Sequence, residues 1–148
     1  MNEFSIQDAE SQMKPIVAAT KGKLQGKRIL DLGCGTDPPL DHNFFVGFNF
    51  CPNLCRTLYE LGAHPIGIDL GNLEDEEFEH YCVDLMKRNS LHFLQNYSID
   101  FAIANDLFTS PTLESKYGIN SGYRLEEILI PQLKRIIKPK GYFFHNDF

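Results

Sequence analysis

The stretch Ile29-Leu30-Asp31-Leu32-Gly33-Cys34-Gly35-Thr36 decides how the rest of the chain is read. An apolar run enters two glycines, the pattern of a strand that turns around a ligand on its way to a helix. Glycines in such a turn allow left-handed backbone and remove the Cβ that would keep a ligand at a distance. The chain then leaves this pattern. Asp37, Pro38 and Pro39 follow in place of a third glycine, and an aromatic-rich segment comes before the next helical pattern.

Outward from this point, apolar runs alternate with helical patterns, which predicts an α/β fold on a mainly parallel sheet. Lys27 to Leu32 is the first expected strand and Pro65 to Asp69 the second. Tyr81 to Asp84, Ile99 to Ala104 and Gly141 to Phe144 follow as the third, fourth and fifth. Before them, Ser5 to Ala19 reads as one or two short helices, with a break at Pro15. A helix is expected from about Pro52, carrying Leu54, Leu58 and Leu61 and stopping at Gly62. Ser90 is placed to cap a helix bearing Leu91 and Leu94. Leu125, Leu129, Leu133 and Ile136 form a helical stripe in which Pro131 marks a kink or a start. Lys138 to Gly141 reads as a turn, and the acidic run Glu74 to Glu79 as a solvated loop or short helix. The sum is a doubly wound sheet of about five strands with helices on both faces, in one domain spanning residues 1–148.

Composition bounds the function. In 148 residues, 43% are hydrophobic and 23% charged, the ordinary balance of a globular chain with a core. A net charge of -6 argues against general nucleic-acid binding, which needs a surplus of Lys and Arg. No apolar run reaches the roughly 20 residues that cross a bilayer. The N-terminus, with Glu3, Asp8 and Glu10, does not read as a signal peptide. Cys34, Cys51, Cys55 and Cys82 have spacings that match no zinc pattern, and reduced thiols in a cytoplasmic protein are expected.

Doubly wound sheets bind ligands beyond the carboxyl ends of their strands. Here the first expected strand runs into Asp31 and the glycine loop, the second ends in Asp69, the third in Asp84 and Leu85, and the fourth in Asn105 and Asp106. A carboxylate at the end of the second strand suits the hydroxyls of a ribose. No Gly-Lys-Ser/Thr sequence follows any strand, so a phosphate-cradling P-loop is not expected.

Leu24 to Thr36 resembles the first motif of class I S-adenosylmethionine-dependent methyltransferases. Gly62 to Asp69 resembles the second strand of that family, and Leu133 to Tyr142 its helix and turn before the fifth strand. The resemblance implies a Rossmann-like sheet in the order 3-2-1-4-5 and S-adenosylmethionine as cofactor. It implies that Gly33, Cys34, Gly35 and Thr36 pass the methionine part, with Asp31 supporting the loop or the amino group. Asp69, with Leu70 beside it, would hold the ribose hydroxyls. Asp84 would take the adenine amino group, Leu85 would lie near the ring, and Asn105 would face the substrate. The implied activity is methyl transfer to a small-molecule or protein acceptor.

Alternatives remain open on the residues themselves. Asp31 and its glycines also suit a tight turn in another α/β fold, Asp69 and Asp106 suit helix caps, and Asp84 suits a loop. His64, His80, His92 and His145 suggest no catalytic partner. The departures at Asp37, Pro38 and Pro39 begin an insertion to about Cys51 that carries Phe44, Phe45, Phe48 and Phe50. Those rings suit a lid or an acceptor pocket, or the filling of a groove. The insertion, and a chain that ends just after its fifth strand, also suit a non-catalytic module of the same fold. A nicotinamide enzyme would carry a further glycine where Pro38 stands. Tyr142, Phe143 and Phe144 would form an apolar edge strand, expected to be covered by the tail or insertion or paired in a homodimer.

Overall fold

In a computed structural model of the chain, the backbone is described for residues 3–36 and 51–146, and side chains for 11–36, 51–110 and 113–145. The expected insertion, with its four phenylalanines, lies outside the described residues apart from Cys51. Five strands form one sheet: β1 (Arg28–Leu32), β2 (His64–Asp69), β3 (Glu79–Cys82), β4 (Ile99–Asn105) and β5 (Ile137–Asn146). The order is β3-β2-β1-β4-β5 and every neighbouring pair is parallel. The chain therefore starts in the middle of the sheet, winds to one edge, and reverses. The reversal falls between β1 and β4, at the opening stretch.

Two apolar faces account for the continuous apolar runs of the central strands. On one face Ile29, Phe101 and Ile103 pack with Ile16 of α1 (Glu3–Thr20) and Leu54 and Leu58 of α2 (Asn53–Glu60). On the other, Leu30, Leu32, Ile66, Ile68, Ala102 and Ala104 pack with Leu113 of α3 (Pro111–Tyr117) and with Leu125, Leu129, Leu133 and Ile136 of α4 (Ser121–Ile136).

Several expected boundaries move, each for a local reason. α1 is one helix that contains Pro15 rather than two separated by it. α4 likewise contains Pro131 and begins ten residues before it. Pro131 is exposed while Leu129, Gln132 and Leu133 are buried, so the backbone bond that proline cannot make is lost on the solvent side. The helix expected at Ser90 does not form; residues 90–94 are turns. Tertiary bonds take the groups that helix would have used: Arg135 donates to the carbonyls of Leu91 (2.9 Å) and Leu94 (2.7 Å). Gln132 Oε1 accepts from the Leu91 N–H at 2.7 Å, and Ser90 Oγ donates to the Leu85 carbonyl instead of capping. β3 lies earlier than expected and ends at Cys82, which leaves Asp84 two residues beyond the strand.

β5 begins at Ile137, so the expected turn at Lys138 to Gly141 is an irregularity inside the strand. Its register with β4 slips between Ile99↔Ile137 and Phe101↔Tyr142. Asp100 anchors the slip by accepting from Lys138 Nζ (2.9 Å) and the Arg28 N–H (2.9 Å). Paired with Phe101 and Ile103, Tyr142 and Phe144 share the sheet face on the α1 side and are 58% and 38% exposed. The described residues leave this edge open.

Candidate functional site

β1 delivers Asp31 into the interior. Its neighbours across the sheet are Gly67 and Ile103, and the carboxyl is 3% exposed. Among the described residues, the one hydrogen bond that reaches it comes from the Cys55 thiol on α2, at 3.5 Å. Burial, offset in part by that thiol and reinforced by the Asp69 charge, pushes the Asp31 carboxyl up to about 7. Cys34 and Cys55 sit together beside it, packed with Leu73 and Phe78. Their sulfurs lie 2.9 and 3.4 Å from the point where a Cβ on Gly67 would stand, so only glycine leaves them room. The Cys55 hydrogen bond favours a Cys34 thiolate, but burial and the two carboxylates outweigh it and push the Cys34 thiol up. Burial holds the Cys55 thiol well above its usual range. Both sulfurs are therefore protonated packing groups rather than nucleophiles.

The loop after β1 is a cradle with the expected backbone. Gly33 (φ 71°) and Gly35 (φ 89°) occupy the left-handed region, where a Cβ would be strained. The N–H groups of Gly33 and Cys34 both donate to the Ile68 carbonyl, at 2.8 and 3.0 Å, which fastens the loop to β2. Asp69, at the end of β2, completes the fastening. Its Oδ2 accepts from the Gly35 N–H at 2.8 Å and its Oδ1 from the Gly71 N–H at 3.1 Å. No helix follows Asp69 among the described residues, so it is not a helix cap. Each of its oxygens keeps a lone pair for a further donor. Thr36 is buried against Gly71, where an added Cβ would lie 2.6 Å from the hydroxyl.

The remaining expected residues line the same end of the sheet. Leu70 follows β2 directly, and its carbonyl accepts from the Cys82 thiol at 3.2 Å. Asp84 Oδ1 accepts from the Met86 N–H at 3.0 Å, a loop contact, while its Oδ2 accepts from the Tyr117 hydroxyl. Burial, together with the Asp84 hydrogen bond and charge, pushes the Tyr117 phenol up to about 12. Leu85 is buried in the core on the α4 side. Asn105 closes β4, half-buried, in register with Asn146. Asp106 is not a cap: its φ is 53°, and α3 starts only at Pro111 after Ser110.

Tyr117, whose sequence reading is structural, and Gly71, which the sequence reading does not single out, both join the candidate site through hydrogen bonds to its aspartates. Gly71 carried a signal, a glycine two positions after a strand-ending aspartate. Tyr117 carried none, because it reaches Asp84 from a helix 33 residues downstream. The histidines are structural where contacts are described: His64 meets Glu79 at 2.8 Å, and His145 lies against the rings of Phe108 and Phe143. No described helix is long and apolar enough to cross a membrane.

No family model and no curated protein matches this sequence. Solved structures do. A S-adenosylmethionine-dependent methyltransferase from Archaeoglobus fulgidus superposes with a TM-score of 0.57 at 17% identity, over 93% of this chain and 50% of that one. The PH0226 protein from Pyrococcus horikoshii gives 0.55 at 17% identity, over 95% and 57%. Phosphoethanolamine N-methyltransferase 1 from Haemonchus contortus, in complex with phosphoethanolamine and S-adenosylhomocysteine, gives 0.54 at 16% identity, over 95% and 26%. The chain thus spans between about a quarter and a little over half of the length of these structures, and at such identities the likeness establishes the fold.

Proposed function

From a chain with the class I S-adenosylmethionine-dependent methyltransferase fold, we propose a protein that binds S-adenosylmethionine and transfers its methyl group to a small-molecule or protein acceptor. One observation carries the reading. The Asp69 carboxylate holds the glycine loop through Gly35 and its own turn through Gly71, yet keeps acceptor capacity on both oxygens. The donor set fits the cofactor in two further respects. The loop has the left-handed glycines that let a ligand lie against backbone. Asp31 is a buried carboxyl that, among the described residues, has only a thiol for a partner, which suits it to a cationic ligand.

On this reading Gly33, Cys34, Gly35 and Thr36 form the wall along the methionine part, and Asp69, flanked by Leu70, holds the ribose hydroxyls. Asp84, steadied by Tyr117, takes the adenine amino group beside Leu85. Asn105 faces the acceptor. The chemistry supplied on binding is an electrophilic methyl carbon on a sulfonium. The protein's part is alignment, since an in-line displacement gains most from holding its reactants in register. A general base is needed only for a protonated acceptor. Cys34, Cys55 and Cys82, free thiols in this fold, support a cytoplasmic setting.

Calorimetric titration with S-adenosylmethionine and S-adenosylhomocysteine, on wild type and Asp69→Ala, tests the reading. Losing the charge-assisted bonds to the ribose is expected to cost about 1.5–3 kcal/mol, or about ten- to a hundredfold in affinity. No binding by wild type overturns the function. Equal affinity in the variant overturns the ribose assignment. Binding without turnover across a panel of acceptors would mark a non-catalytic module.

A further inference from the structure

Among the described residues, Asp31 is the one deeply buried carboxyl of the candidate site, and its surroundings are unusual for a charge. On β2, Gly67 lies beside it and Asp69 adds a second carboxylate at the end of the strand. On β4 its neighbour is Ile103, fully buried and apolar. From α2 the Cys55 thiol donates at 3.5 Å, and from the glycine loop Cys34 sits against Cys55. Leu73 and Phe78 close the same cluster. Among the described residues no Lys, Arg, His or backbone N–H meets the carboxyl, and a thiol is a weak donor. A carboxylate ionised here would be an uncompensated buried charge next to a like charge, a state proteins avoid by keeping the proton.

We propose that Asp31 carries its proton in the free protein and surrenders it when a ligand's cationic group enters, so that cofactor binding is coupled to the release of one proton. The exchange balances: Asp31–COOH and a ligand ammonium or sulfonium give the ion pair of Asp31–COO⁻ with that cation, and the proton passes to solvent. The inference rests on the cofactor reading above and adds a regulation to the same site. The position of the free carboxyl near 7 agrees with it. Binding is then weakened by acid. Below about pH 7 each further pH unit costs up to about tenfold in affinity, because the proton must be removed before the ion pair can form.

The experiment is calorimetric titration with S-adenosylhomocysteine near pH 6 and pH 8, in pairs of buffers that differ in ionisation enthalpy, on wild type and Asp31→Asn. Carbon-13 titration of the Asp31 carboxyl in the free protein accompanies it. Wild type is expected to release about one proton per ligand near pH 6 and close to none near pH 8. Asp31→Asn is expected to release none at either pH and to bind with a flatter pH profile. The free carboxyl is expected to titrate near neutrality and to move to lower pH in the complex. Binding with the same proton release in both proteins overturns the coupling alone, as does a free Asp31 that titrates below about pH 5. No binding of S-adenosylhomocysteine by wild type at either pH overturns the cofactor reading together with the coupling.

Discussion

Replacing Asp31 by Asn changes the charge capacity of one buried position while keeping its shape, and the outcome depends on pH in a calculable way. The carboxyl has a value of 3.8 in the unfolded chain and about 7 in the folded one, where it is 3% exposed. Because the folded value is raised, the folded state binds the proton more tightly, and this group favours folding most at low pH. That advantage is lost as pH rises from about 4 to about 7 and stays lost above. About three pK units at 1.36 kcal/mol each amount to about 4 kcal/mol. Asn cannot ionise, so its stability lacks this slope. The stability of Asp31→Asn relative to wild type should therefore climb by about 4 kcal/mol between pH 4 and pH 8. Urea unfolding of both proteins in steps of one pH unit, read by circular dichroism, measures the difference directly. A difference constant to within about 0.5 kcal/mol over that range would refute the placement of Asp31 as a buried, cation-free carboxyl.

Tyr117→Phe removes the hydroxyl that donates to Asp84 while keeping the half-buried ring packed against the core. It should cost about 1 kcal/mol in urea unfolding and weaken S-adenosylhomocysteine binding a few-fold, whereas equal binding would separate Asp84 from the adenine. Gly122→Ala should destabilise by about 1–3 kcal/mol, because the new Cβ would stand 2.1 Å from the Phe108 carbonyl oxygen. Helix propensity alone predicts the opposite sign, a gain of about 0.5–1 kcal/mol, so the direction measured in unfolding decides between them.

The fold was legible because its information is local. Apart from Asp31 and Asp100, Ile29 to Leu32, Ile66 to Ile68 and Ile99 to Ala104 are apolar on both faces, as central parallel strands are. Their ends carry Asp31, Asp69 and Asn105, which the sheet order brings to one rim. What escaped the sequence depends on distant partners. Residues 90–94 have helical spacing, but Arg135 and Gln132 on α4 claim their backbone groups from more than 40 positions away. Pro15 and Pro131 look like breaks, yet α1 and α4 each run past their proline. The link from Tyr117 to Asp84 joins the region after β4 to the region after β3, and no spacing rule connects two such loops. At the candidate site, the contact of the glycine loop with Asp69 joins two features the sequence displays, while the burial of Asp31 against two thiols and a carboxylate emerged only from the packing of α2.

The most direct measurement is a crystal structure of the protein with S-adenosylhomocysteine. The expected result has the ribose hydroxyls on the Asp69 carboxylate, the adenine amino group on Asp84 and the amino acid end along Gly33 to Thr36. Ligand density elsewhere, or a crystal at saturating ligand with these residues still bonded only to one another, would contradict the assignment of this end of the sheet as a cofactor site.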